Sequence, residues 1–380
     1  MKTVFDAIGM NLGSRSARCA YTDGKASPVM IPNRWGKTST TSVVGRDSKA
    51  QDIVVPLLRA LREDAEVFLG RFVSSCVLAV PACFSLPRRE AMAQVAEAAG
   101  MPNVRIISEP AAVALAFASE GRFLILDVGA RFSDISVVES EGRVCQVLES
   151  VGSADIGGCD FDLALAEWLC ERLRLALLPE NDPRWRALLL EAETIKIALS
   201  SCLAYDWKPP SMDSREFPVL RVEREEFERM TRFSIKRLTN MASRLWEKHR
   251  PERLLLVGGS SRIPLLRDFL EREIARPERL NLCAEEFIVA GAALYAVAGQ
   301  ERLLDKPAEP LFITAAGRRV RDLKLRLVLI EPSLSQAQRQ RLHIMVDVLE
   351  NLEDDAESIE ILEGIVKDLE AEFFKEKSVS

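Results

Sequence analysis

Short apolar runs broken by small or polar residues organise most of this chain. Phe123-Leu124-Ile125-Leu126 is apolar at every position, the pattern of a strand buried on both faces. Asp127 puts a carboxylate at its end, Gly129 allows a tight turn, and residues 134–138 alternate as a second strand. The same succession occurs earlier. Residues 4–10 are mostly apolar, Asn11-Leu12-Gly13-Ser14-Arg15-Ser16 follows, and 17–21 predicts another strand. Asn11 stands where the later copy has Asp127. A strand, an acidic or amide residue and a small-residue turn suit a phosphate and its metal, because backbone N–H groups can approach an anion there. Read alone, each copy is equally an ordinary β-hairpin.

Between the copies, Asp23-Gly24 is a hairpin signal, and short strands at 29–32 and 42–44 flank a Thr/Ser-rich loop. Val54, Leu57, Leu58, Leu61, Ala65 and Phe68 predict a helix over 52–69. A strand over 76–80 ends at Pro81, a helix over 86–99 is closed by Gly100, and a strand over 104–107 leads through Glu109-Pro110 into an Ala-rich helix over 111–118. The pattern then restarts at Phe123. Its two strands are followed by one over 144–150, a glycine stretch opening a helix to about 178, and helices over 185–201 and 225–249 with a strand at 219–222 between them. Leu254–Val257 is a buried strand running into Gly258-Gly259-Ser260-Ser261-Arg262, and helices over 264–274 and 287–297 close this half. Gly291 inside the last helix marks close packing or close approach to a ligand. Two similar α/β lobes with their phosphate turns facing would make a nucleotide cleft.

Composition narrows the class. At 380 residues the chain predicts two or three lobes, and 48% hydrophobic with 28% charged residues is an ordinary globular balance. A net charge of −6 gives no basic field for nucleic acid. Eight cysteines without a C-x-x-C pair, and only His249 and His343, leave little for zinc. The cysteines read as buried free thiols of a reducing cytosol. The start has no signal-peptide pattern and no apolar run reaches membrane-spanning length, so the expectation is a soluble cytoplasmic protein without nucleic-acid or membrane partners.

The motifs, in order, resemble those of the ATPase half of the heat-shock 70 kDa (DnaK-type) chaperones, within the actin-like ATPase superfamily. Residues 8–13 (IGMNLG) resemble the first phosphate motif and 127–136 the second. Residues 77–84 (VLAVPACF) resemble the strand and proline of the interdomain relay, with Arg89 at the relay arginine. RIISEPAAVALAF (105–117) resembles the segment of the catalytic-site glutamate, 155–162 the GGEDFD stretch, and VGGSSRIP (257–264) the adenosine-binding turn.

The resemblance implies an α/β, two-lobed actin-like ATPase fold with duplicated ribonuclease-H-like lobes. The first lobe would span 1–120 with its small subdomain largely deleted. The second would span 121–300 with a helical small subdomain at about 166–250, and 301–380 would hold a linker, a strand and a helical hairpin. It implies ATP or ADP with Mg²⁺ in the cleft. Glu109 and Asp127 carry over as catalytic-site residues, Asp127 holding any metal through water. The nucleotide would contact Asn11, Gly13, Ser14, Arg15, Gly129, Arg131, Gly157 and Gly158. Its adenosine end would meet Glu193, Lys196 and Ser200 on one helix face, together with Gly258, Gly259, Ser261, Arg262 and Glu285.

The chain also departs from the family's pattern. Asn11 replaces an aspartate and supplies no charge for a cation. Ser14 and Arg15 replace threonines, Ala130 and Arg131 replace glycines, Phe132 replaces a hydroxyl residue, and Cys159 replaces a glutamate. Between Val44 and Cys76 a whole subdomain is missing, and with it the lysine that positions the attacking water; neither Lys37 nor Lys49 sits in a matching motif. At ~10²–10³-fold per well-placed group, these losses imply a pseudo-ATPase with weak or absent Mg²⁺ binding. Arg15 and Arg131 either reach the phosphates in place of metal charge or pair with Asp127 or Asp134.

Three functions are consistent with this: a chaperone-family nucleotide-binding protein acting through protein contacts, an active Mg²⁺-dependent ATPase with rearranged loops, and a nucleotide-free actin-like scaffold. The tail is expected to lack the family's peptide-binding domain. Ser333 reads as the N-cap of a helix over 334–349, and Ile359, Leu362, Ile365, Val366 and Leu369 form a stripe on a second helix over 356–374. This hairpin either packs on the lobes or faces an unidentified protein partner, and the sequence does not set the oligomeric state.

Overall fold

The computed structural model describes residues 7–297, apart from 43–49, 102, 142–143, 154–155, 176–177, 180–181 and 211–215. The strand and helical hairpin expected beyond residue 300 lie outside the described residues, as do Lys49 and Asp155. In chain order the elements are β1 (Ala7–Leu12), β2 (Ser16–Tyr21), β3 (Val29–Met30), β4 (Thr40–Thr41), α1 (Ala50–Leu69), β5 (Ser75–Val80), α2 (Leu86–Ala98), β6 (Asn103–Ser108) and α3 (Glu109–Phe117). Then come β7 (Gly121–Val128), β8 (Ser133–Glu141), β9 (Val144–Ser153), α4 (Gly158–Arg172), α5 (Pro183–Leu199), β10 (Ala204–Trp207), β11 (Leu220–Glu223), α6 (Arg224–His249), β12 (Arg253–Val257), α7 (Pro264–Glu273) and α8 (Phe287–Val297).

Two sheets repeat one plan. In the first, strand order is β3-β2-β1-β5-β6, with β4 added beside β2; in the second it is β12-β7-β8-β9. Each has an antiparallel meander whose first strand also pairs in parallel, β1 with β5 and β7 with β12. A parallel neighbour needs a long crossover, which α1 supplies for β5 in the first sheet.

Alternation along β1 assigns its faces. Ile8 and Met10 join Leu58 and Leu61 of α1, Leu78 of β5 and Val95 of α2 in one buried cluster. Ala7 faces the other way, into a cluster with α3, α8 and residues of the second sheet such as Phe123, Ile125 and Leu255. Gly9, on that same face, lies so close to α8 that a Cβ there would collide with the backbone of Ala292 and Ala293. The α3 helix is capped by Ser108, whose hydroxyl accepts from the Ala111 N–H. Gly291 of α8 meets the Ala112 carbonyl of α3 with no room for a side chain, so close packing explains this glycine.

The chain divides into two compact units, one of Met1–Ser153, Asn240–Arg262 and Arg267–Leu311, the other of Ala154–Thr239, Ile263–Leu266 and Phe312–Ser380. Both sheets described above belong to the first. In the second, α4 packs on α5 and β10 pairs antiparallel with β11. Three details differ from expectation. The short strand expected at 42–44 lies at Thr40–Thr41, with Ser42 outside it and 43–44 beyond the described residues. The α4 helix stops at Arg172, because Arg174 takes a left-handed φ of 53°, although the apolar pattern runs on to 178. Strand β10 was not anticipated, since Ala-Tyr-Asp-Trp shows no period. Gly100 closes α2 as expected, with φ 94° and its N–H bonded to Glu97. All eight cysteines are free, four of them buried. No helix among the described residues is long and apolar enough to cross a membrane.

Candidate functional site

The two glycine turns are built alike. The Gly13 N–H donates to the Ser16 carbonyl at 3.1 Å, and the Gly129 N–H to the Phe132 carbonyl at 2.9 Å. In each, a Cβ on the glycine would lie 2.9 Å from that carbonyl oxygen. Neither glycine takes a positive φ, and Ala130 and Arg131 do not either, so Gly129 is required by contact rather than by backbone freedom. A serine from another segment fastens each turn. Ser42 donates its hydroxyl to the Gly13 carbonyl, and Ser260 does the same for Gly129 at 3.1 Å. Sequence reasoning missed both serines; the only hint was the Thr/Ser-rich loop before Ser42 and the Ser-Ser pair after Gly259.

The strands ahead of the turns converge on Glu109, the first residue of α3. Asn11, at the end of β1, donates its Nδ2 to Glu109 Oε1 at 2.9 Å. Asp127, near the end of β7, lies directly across from Asp134 on β8, a like-charge cross-strand pair. Burial first, and then the charges of Asp127 and Asp134, push the Glu109 carboxyl well above its ordinary range. Burial, with Asp134 next, pushes Asp127 up to about 7, and burial raises Asp134 to about 6. Glu109 and Asp134 are buried and Asp127 is half-buried, and all three carboxyls are raised above their ordinary range. Asp127 Oδ1 rests on Gly258, whose φ of 84° and contact with the Val128 carbonyl both exclude a side chain. Asp134 Oδ1 would sit 2.6 Å from a Cβ at Gly152.

The Gly258–Arg262 turn leaves β12, which pairs with β7 up to Val257 opposite Asp127. Arg262 reaches Glu285 at 2.7 Å, and its guanidinium remains largely exposed. Gly259 is exposed beside Glu285, while Ser261 is buried. Ser14 and Arg15 are half-buried on the first turn, and Arg131 is exposed on the second.

The remaining candidates lie in the second unit. Gly157 is the N-cap residue of α4 and Gly158 its first residue. Lys196 of α5 is buried, paired with Asp162 at 2.6 Å and donating to the Gly158 carbonyl at 2.9 Å. Glu193 is half-buried one turn earlier on α5, and Ser200 ends the helix with its hydroxyl on the Lys196 carbonyl. Arg89, matched to the relay arginine, holds the turn after β5 by donating to the carbonyls of Phe84 at 2.9 Å and Ala82 at 3.3 Å.

The residues present do not build a side-chain cage of their own for a metal ion. Among the described residues no three His, Cys, Asp or Glu side chains are grouped to hold one. Asn11 brings an uncharged amide whose donor end already faces Glu109.

The duplicated sheets, each ending in a glycine turn beside a shared buried glutamate, define the actin-like ATPase fold. The family model described as Hsp70 protein matches residues 25–305. The chain is similar to the chaperone protein DnaK of Thermosipho melanesiensis, 28% identical over 355 residues covering 77% of this chain and 60% of that protein. It is 31% identical to DnaK of Mycoplasmopsis pulmonis, covering 70% and 47%, and 26% identical to DnaK of Methanothermobacter thermautotrophicus, covering 75% and 51%. The chain belongs to the Hsp70 family, and it spans about half the length of the curated relatives it matches.

Proposed function

We propose that this chain is a nucleotide-binding member of its family that takes ATP or ADP, hydrolyses it slowly or not at all, and works through contacts with other proteins. The observation that carries the reading is the pair of matched glycine turns whose preceding residues, Asn11 and Asp127, meet at Glu109. Backbone N–H groups at such turns favour phosphate. Adenosine would lie on the Gly258–Arg262 turn, where Glu285 keeps the Arg262 guanidinium in place for stacking on a purine. In this reading the lobes are residues 1–120 and 121–300.

Slow turnover follows from the residues present. Phosphoryl transfer depends on positioning and charge stabilisation. Asn11 lacks the charge of a carboxylate, and the Phe132 ring offers no hydroxyl. Glu109, the carboxylate at the foot of both turns, already accepts a hydrogen bond from Asn11 Nδ2.

Titration calorimetry with ATP and ADP, paired with a phosphate-release assay, tests this. Binding in the micromolar to millimolar range with negligible phosphate release is expected, and Arg262→Ala should abolish binding. No heat and no thermal shift at millimolar nucleotide would leave the scaffold reading standing instead. Sustained turnover would establish an active ATPase and sink the pseudo-ATPase part.

A further inference from the structure

The two turns carry an arginine at the same place. Arg15 is the fourth residue after Asn11, and Arg131 the fourth after Asp127. Each is the third residue of a four-residue turn closed by the glycine N–H. The residues at the strand ends ahead of the turns, Asn11 and Asp127, both lie close to Glu109, so the two turns begin beside the same carboxylate. Arg131 is exposed, and among the described residues it forms no ion pair with Asp127 or Asp134. Burial raises both carboxyls, and the charge of Asp134 adds to the rise at Asp127. The Arg131 guanidinium is therefore not spent on neutralising them. Ala130 and Arg131 also keep ordinary negative φ values, so the second turn presents a cationic side chain rather than a glycine cradle.

Asn11 leaves the first turn without the carboxylate that Asp127 gives the second, and Arg15 and Arg131 occupy equivalent places in the two turns. Two arginines carry the charge of one divalent cation, and each can bind phosphate oxygens through paired N–H donors. We propose that the polyphosphate chain of the nucleotide is held by Arg15 and Arg131 in place of a divalent cation, so that nucleotide binding by this chain needs no Mg²⁺. The inference rests on the nucleotide-binding reading given above. No bond is made or broken in it.

The test is calorimetric titration of the full chain with ATP, with inorganic triphosphate and with adenosine, each in EDTA and in millimolar Mg²⁺. ATP and triphosphate should bind in EDTA within about threefold of their affinity in Mg²⁺. Arg131→Gln and Arg15→Gln should each weaken both by about tenfold or more, the loss of a charge-assisted phosphate contact. Adenosine affinity should not change, and unaltered circular dichroism would confirm that the variants fold. Dependence of ATP binding on Mg²⁺, or an Arg131→Gln protein that binds triphosphate like the parent, overturns the proposal. The two readings fail separately. Triphosphate binding in EDTA that is lost in Arg131→Gln, without any binding of ATP or adenosine, keeps the arginine site and removes the nucleotide. Binding of none of the three probes removes both.

Discussion

Replacing Asp127 with asparagine removes a carboxylate that the fold holds against its tendency to ionise. Asp127 faces Asp134 directly across β7 and β8, and its pKa rises from 3.8 to about 7. A folded-state value above the unfolded one means that the folded chain holds more protons, so stability falls as pH rises between the two values. Asp127 contributes its full stability below about pH 4 and has lost it above about pH 7. At ~1.4 kcal/mol per pH unit the total is ~4 kcal/mol, and the partial exposure of Asp127 and its shared repulsion with Asp134 reduce it to ~2 kcal/mol. Asparagine has the shape of the protonated acid and no ionisation to resist. Urea denaturation of both proteins in EDTA from pH 5 to pH 8 should show Asp127→Asn the more stable, by a gap that widens with pH and levels off above about 7. A gap that stays flat, or a variant less stable than the parent at pH 8, would refute the reasoning, because the Asp127 charge would then already be compensated.

Gly291→Val should destabilise the protein by ~3 kcal/mol or more, since the new side chain would occupy the space of the Ala112 carbonyl. Gly36→Ala, at φ 75° with nothing within 4 Å, should lose only ~1 kcal/mol to backbone strain; equal losses in a denaturation comparison would contradict this. Lys196→Met should remove ~3–5 kcal/mol by leaving Asp162 buried without its cation. Adding Asp162→Asn should recover part of that loss, and a double variant no better than the single one would show that Lys196 acts through its Gly158 bond instead.

Most of the fold was legible because its signals are local. The run Phe123–Leu126, the carboxylate after it and the glycine two residues later predict β7 and its turn, and the same cues placed β1 and β2. Gly100 and Pro110 marked helix boundaries for reasons contained in their own backbones. What the sequence hid depends on contacts between distant segments. The spacing of Glu193, Lys196 and Ser200 put them on one helix face, but Lys196 is committed to Asp162, 34 positions away. Ser42 and Ser260 are unremarkable in sequence, and only folding brings them to the carbonyls of Gly13 and Gly129. Gly258 reads as a flexible turn residue, yet the Asp127 carboxylate lying against it is a second and independent reason for glycine. The extension of α4 to 178 failed because one left-handed residue, Arg174, outweighed an apolar pattern.

Helix α8 touches β1 at Gly9 and α3 through Gly291, in both cases backbone against backbone. Contacts of that kind contain no rotamers, so they cannot relax by side-chain rearrangement when load is applied. The strand and the two helices therefore resist sliding past one another while still permitting a turn about the points of contact.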